Sequence, residues 1–289
     1  MKRLLFSFAS ISLALVPMRA VELSGSFQGP IGLQLYSLRD SFKTDVPGTL
    51  DKVKGFGFTT VETAGTYGLP VEEFRKQLDA RGLKVVSAHI GYEALKTSLD
   101  GAIREAKALG ATYIACAWIP HEIGNFNEAD VKRASADFNL WGEKLKAAGL
   151  TFAYHCHGYE FRPVSEGASE TLFDLLARGT KPELVAFEMD VFWVVQPGAD
   201  PVKLLAKYSG RWQLMHVKDL RKGARTGVYT GKAASLADDV AIGTGVVDWP
   251  AVLKEAARVG VKHYFIEDES PMVLEQIPVS LKYLSKVRY

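Results

Sequence analysis

Short apolar runs alternate along this chain with amphipathic stretches. The runs IGLQLYSL, TTVETA, KVVSAHIG, ATYIACAWI, LTFAYHCHG, LVAFEMDVFWV, WQLMHVKDL and KHYFIEDE are rich in β-branched and aromatic residues, which predicts eight strands. Between them, VEEFRKQLDARG, SLDGAIREAKALG, ADFNLWGEKLKAAG, ETLFDLLARG, DPVKLLAKYSG and WPAVLKEAARVG place apolar residues at helical spacing, several closing on glycine, and PMVLEQIPVSLKYLSKV predicts a final helix. Parallel strands cannot be joined by tight turns, so this alternation implies parallel neighbours with helical crossovers. Eight such units close into a single α/β domain, a (β/α)8 barrel, expected over residues 21–289. An open doubly wound sheet is the alternative, but LRDSFKTDVPG after the first run lacks the Gly-rich phosphate loop of that fold. One segment departs from the rhythm. Residues 221–249, RKGARTGVYTGKAASLADDVAIGTGVVDW, form a long polar connection leaving the C-terminal end of the seventh strand, where barrel active sites are built.

The polar residues that interrupt the runs cluster toward the C-terminal ends of the strands. Glu62 ends the second, His89 the third, His155 and His157 the fifth, Glu188 and Asp190 the sixth, His216 and Lys218 the seventh, and Glu267 and Glu269 the eighth. Residues two apart on a strand face the same way, so three of these sets are same-side pairs. Each residue alone has an ordinary explanation: a core histidine is usually hydrogen-bonded, and a strand-end carboxylate often caps a helix or pairs with a lysine. Six strands ending in ionisable groups is a different matter, because burying neighbouring charges is costly unless they pair or bind a metal. Carboxylates mixed with imidazole suit a borderline divalent cation such as Mn²⁺, Zn²⁺ or Co²⁺, with Mg²⁺ also compatible, and such an ion can polarise a carbonyl.

Composition narrows the class without changing this picture. Over 289 residues, 47% are hydrophobic, 24% are charged and the formal charge is +2, as in a globular protein with a sizeable core and no basic excess for nucleic acid. MKR followed by LLFSFASISLALV and PMRA predicts an export signal over residues 1–20, hence a periplasmic or secreted protein. Met18 stands where a signal peptidase prefers a small residue, so an uncleaved anchor is the alternative; the apolar run is short for a membrane span. The two cysteines, Cys116 and Cys156, lie within strand-like runs and are expected as small buried residues, with a single bridge as the alternative.

The motifs GLQLYSLRD, YHCHGYEF, FEMDVFW, HVKD, GTGVVDW and FIEDE together resemble the sugar phosphate isomerase/epimerase group of xylose isomerase-like TIM barrels, over nearly the whole chain beyond the signal. The resemblance implies one divalent metal held by Glu160, Asp190, His216 and Glu267, with His157 as a reserve ligand. It departs from the family pattern at Trp193, where relatives often carry histidine, and at Cys156, where they carry asparagine. The implied chemistry is proton abstraction next to a sugar carbonyl through an enediolate, with Glu160 and Glu267 as the catalytic carboxylates on opposite sides of the substrate. Glu62, His89, His155, His157 and Lys218 would hold hydroxyls or protonate a leaving oxygen, and Trp118, Phe192 and Trp193 would stack on the ring.

Export favours free sugars or glycosides as partner over sugar phosphates, so β-elimination from a 3-keto-glycoside stands beside isomerisation or epimerisation. A homo-oligomer is compatible with the sequence. Two other classes use the same barrel: an endonuclease IV-like phosphodiesterase, which near-neutral charge disfavours, and a non-catalytic periplasmic sugar-binding barrel.

Overall fold

In the computed structural model, which describes residues 26–233 and 235–289, all eight apolar runs contribute strands to one closed parallel barrel. The strands are Ile31–Gln34, Thr60–Thr63, Lys84–His89, Tyr113–Cys116, Thr151–His155, Val185–Asp190, Trp212–Val217 and His263–Ile266. Closure is made by the first strand, where Leu33 lies opposite both Val61 and Ile266. Doubly wound topology is thereby excluded. The expected export segment, residues 1–20, lies outside the described residues, and no described helix is long and apolar enough to cross a membrane.

Two crossovers differ from expectation, and end-capping chemistry explains both. The first, around LRDSFKTDVPG, contains a helix, Val46–Gly55, started by Asp45, whose carboxylate accepts the Gly48 N–H, and by Pro47 in its first turn. The fourth-to-fifth crossover helix begins eight residues earlier than its periodic stretch, spanning Glu128–Ala147, because Asn127 and Asp130 form a reciprocal capping box there. Gly110 and Gly260 close their helices in the left-handed conformation, as their positions in the sequence suggest.

Strand alternation divides the core into two layers. Side chains facing outward pack on the helices: Phe138 meets Phe152 with ring centroids 4.9 Å apart, and Phe173 stacks on Trp212 at 5.4 Å. Each such ring contributes about 1.5–3 kcal/mol by burial. Facing inward, Tyr113, Ala115, Ala153, Ala186, Leu214 and Phe265 form a small apolar cluster inside the barrel. Phe265 fits because its neighbour is Gly32, where a Cβ would lie 2.5 Å from the ring. Two residues further along each strand, on the same face, apolar gives way to ionisable: Ala153 to His155, Ala186 to Glu188, Leu214 to His216, Phe265 to Glu267. The barrel thus has an apolar floor and a charged mouth.

Candidate active site at the mouth of the barrel

The ionisable residues of six strands meet in one buried network. On one side, Glu62 Oε2 accepts hydrogen bonds from Gln34 Nε2 at 2.9 Å and His216 Nε2 at 2.6 Å, and lies 3.2 Å from His89 Nε2. Glu188 Oε2 meets His89 Nε2 at 2.9 Å and His155 Nδ1 at 3.1 Å. On the other side, His216 Nδ1 is 3.4 Å from Glu267 Oε2 and 3.8 Å from Asp190 Oδ2. Lys218 Nζ closes that side, 2.5 Å from Glu269, 3.0 Å from Glu267 and 4.0 Å from Asp190. The carboxylate of Asp190 also caps the helix that follows it, Oδ1 accepting the Trp193 N–H at 3.1 Å.

Burial alone would neutralise these groups; their neighbours reverse that. Against the cost of burial, Glu62 and Glu188 push His89 up to about 10, and Glu188, Glu267 and Glu62 hold His216 well above the ordinary imidazole range. Burial likewise opposes the charges of Glu267 and Lys218, yet each holds the other ionised: the carboxyl is pulled well down and the ammonium well up. His157 is the exception, since burial, His155 and Lys218 all push it well below the ordinary range, which keeps it neutral.

Two sets of ligating atoms lie within 4.8 Å of one another among the described residues: His89, His155, Glu188 and His216, and Asp190, His216 and Glu267. Asp190 Oδ2 and His216 Nδ1 are buried without a protein hydrogen-bond partner. Donors about 2.1 Å from a shared tetrahedral ion lie roughly 3.4 Å apart, close to the 3.4 and 3.8 Å separations of this second set. The donor chemistry and spacing therefore fit a divalent cation.

Glu160 is not brought to either set. Gly158, at φ +96°, turns the chain after the fifth strand, and Glu160 follows in a single 3₁₀ turn, Tyr159–Phe161. There its Oε1 accepts hydrogen bonds from the Tyr154 hydroxyl and the His157 N–H, both at 2.9 Å. Tyr154 alternates with the inward-facing His155 and packs in the outer core, so Glu160 sits behind the strand instead of in the mouth. Burial pushes its carboxyl up to about 7. The fifth-strand residue within the mouth is His155, whose Nε2 is 3.8 Å from Asp190 Oδ2.

The other expected residues divide in two. Glu62, His89 and Lys218 join the charged network. Trp118, His157 and Trp193 form an aromatic wall beside it: His157 stacks on Trp193 at 4.6 Å and meets Trp118 edge-on at 5.3 Å. Cys116 and Cys156 are free and buried, so the alternative of a bridge is not realised. Sequence reasoning left Gln34, Glu188 and Asp239 without roles. Gln34 and Glu188 were visible as polar interruptions of apolar strands, but Asp239 comes from the long connection, where no period marks it.

That connection is ordered by its own polar residues. Asp219–Leu220 pairs antiparallel with Asp239–Val240, and Arg221 Nη2 binds Asp238 at 2.6 Å. The Asp219 carboxylate accepts from the backbone N–H groups of Leu220, Gly243, Gly245 and Val247 and from Trp249 Nε1. HVKD and GTGVVDW are thus two halves of one brace. Gly245 is required by it, since a Cβ would lie 2.2 Å from Asp219. The connection then crosses the mouth, where Gly231 lies against Trp118, Tyr159 and the His157 carbonyl.

A family model described as xylose isomerase-like TIM barrel matches residues 50–286. The chain belongs to the xylose isomerase-like TIM barrel family. Among curated proteins it is similar to the inosose dehydratase of Clostridium beijerinckii, 26% identical over 185 residues, 57% of this chain and 60% of that protein. With the inosose dehydratase of Clostridium botulinum it shares 22% identity, over 78% of this chain and 83% of the relative. The chain thus spans less than two thirds of the first of these relatives. A sugar phosphate isomerase/epimerase from Parabacteroides distasonis superposes with a TM-score of 0.74 at 26% identity, covering 89% of this chain and 98% of its own. Expectation and finding agree on the fold and the family.

Proposed function

We propose that the protein is a metal-dependent enzyme that abstracts a proton next to the carbonyl of a keto-sugar or keto-polyol, leading to elimination or isomerisation. The observation that carries this is the buried trio Asp190, His216 and Glu267, with donor atoms spaced for one cation and two of them lacking a protein hydrogen-bond partner. His155 supplies the fifth-strand ligand in place of Glu160. A divalent ion held there would act as a Lewis acid toward the substrate carbonyl.

The chain's own residues supply the proton chemistry. Glu267 takes the α-proton, and Lys218, cationic and 3.0 Å from Glu267, returns a proton to the departing oxygen. In elimination the C–H and C–O bonds break, a C=C bond forms, and the leaving hydroxyl departs as water. His89 and Glu62 hold substrate hydroxyls, and the segment crossing the mouth excludes bulk water. The names of the curated relatives favour dehydration of an inosose-like ring, and loss of an aglycone from a 3-keto-glycoside is the same step with a different leaving group. An exported location, from residues 1–20, remains part of the proposal and is tested by fractionating cells that express the full chain.

The chemical test is incubation of metal-loaded protein in D₂O with 2-keto-myo-inositol, ketoses and 3-keto-glucosides, followed by NMR. Deuterium is expected at the carbon next to the carbonyl, with release of water or aglycone where elimination occurs. No exchange in any substrate, with stoichiometric metal bound, would reject the catalytic reading in favour of a binding protein.

A further inference from the structure

Beside the charged network, under the connection that crosses the mouth, lies a cavity of about 230 Å³ lined by His157, Phe192, Trp193, Lys218, Asp239 and Glu269, with Gly231, Lys232, Ala233, Ser235 and Leu236 over it. Its volume falls below the roughly 300–1,000 Å³ of pockets for drug-sized ligands, which suits a single small ring. One wall is aromatic: His157 and Trp193, stacked on each other at 4.6 Å, with Phe192 edge-on to Trp193 at 5.0 Å. Trp193 Nε1 and His157 Nδ1 are buried without protein partners, a donor and a ring nitrogen left for hydroxyl groups.

The charges around the cavity are unsuited to a phosphate. A phosphate site needs unpaired cationic or backbone donors. Lys218 is already committed to Glu269 at 2.5 Å and Glu267 at 3.0 Å, with Asp239 at 3.8 Å. Arg221 is taken by Asp238 at 2.6 Å. Lys232 also lines the cavity, but it is an exposed residue of the overlying segment, so water competes for its ammonium.

We infer that this cavity is a subsite for an uncharged sugar or polyol ring, packed against the aromatic wall of Trp193, His157 and Phe192, and that the surrounding carboxylates exclude phosphorylated sugars. The inference names the substrate class of the reaction proposed above and rests on that reading. It also separates this chain from its structural relative described as a sugar phosphate isomerase/epimerase.

The test is calorimetric titration of the metal-loaded full chain with D-fructose against D-fructose 6-phosphate, D-glucose against D-glucose 6-phosphate, and 2-keto-myo-inositol. At least one neutral ring should bind, ten-fold or more tighter than its phosphorylated counterpart where one exists, with the ratio widening at low salt as repulsion is less screened. Trp193→Leu should weaken neutral-ring binding about ten-fold with metal content and melting temperature retained, and Trp193→Phe should restore most of it. Glu269→Gln should strengthen the phosphorylated sugar several-fold more than the neutral one. A phosphorylated sugar that binds as tightly as its neutral counterpart, or no binding by any neutral ring, would overturn the inference. Neutral rings that bind without proton exchange would remove the proposed chemistry and keep the subsite.

Discussion

Glu160 and Glu267 are both buried glutamates, but one stands among hydroxyls and backbone and the other among cations. Burial raises the Glu160 carboxyl to about 7, whereas Lys218 and His216 pull Glu267 well below the usual range against the same burial cost. Desolvation penalises both charges alike, and the neighbours decide which group stays ionised. The region behind the fifth strand is therefore built to hold a proton, and the mouth is built to hold charge. A third carboxylate, Asp219, is satisfied by N–H donors and serves as a brace.

The contrast is broken most severely at the mouth. Glu267→Gln should lower the rate of substrate deuterium exchange on the order of 10²–10⁴-fold, as expected for loss of a general base, while Glu160→Gln should retain both exchange and metal. Equal losses in the two variants would erase the distinction between the regions. Asp219→Ala comes next, because it leaves the buried Leu220 N–H and Trp249 Nε1 and the part-buried N–H groups of Gly243, Gly245 and Val247 without their acceptor; a loss of about 3–4 kcal/mol in urea unfolding is expected. A change below about 1 kcal/mol would show that the brace does not hold the connection.

The smallest effect is the most diagnostic of Glu160. Its folded carboxyl titrates at about 7 against an ordinary value of 4.5. The folded chain therefore holds this proton more tightly than the unfolded chain, so stability should fall as pH rises from 4.5 to 7 and then level off. The shift corresponds to about 3 kcal/mol. Glu160→Gln keeps the acceptor for Tyr154 and His157, removes the charge, and should abolish that contribution, making the variant the more stable protein at pH 8. Urea midpoints at pH 5 and pH 8 measure it, and an unchanged slope would place the titration elsewhere.

Much of this was legible before the fold was known. Strand parity alone put Glu188 with Asp190 and His216 with Lys218 on common faces, and the alternation of runs specified parallel strands and closure. Glu160 was not legible in the same way. It lies beyond the last residue of its strand, past a glycine with positive φ, where the period of two no longer applies and a turn can send a side chain to either layer. The motif YHCHGYEF suggested a ligand because the glutamate is near in sequence, but Gly158 separates it from the mouth.

By itself the sequence determined the eight-unit architecture and which strand ends carry ionisable groups, because periodicity and residue type are local properties. Only the tertiary structure decided which of those groups touch, which keep their charge, and that Asp239 and Gly231 reach the site from the long connection. Those outcomes depend on closing the barrel, which brings residues as distant as Glu62 and His216 to 2.6 Å and sets each group's field by its neighbours across the mouth.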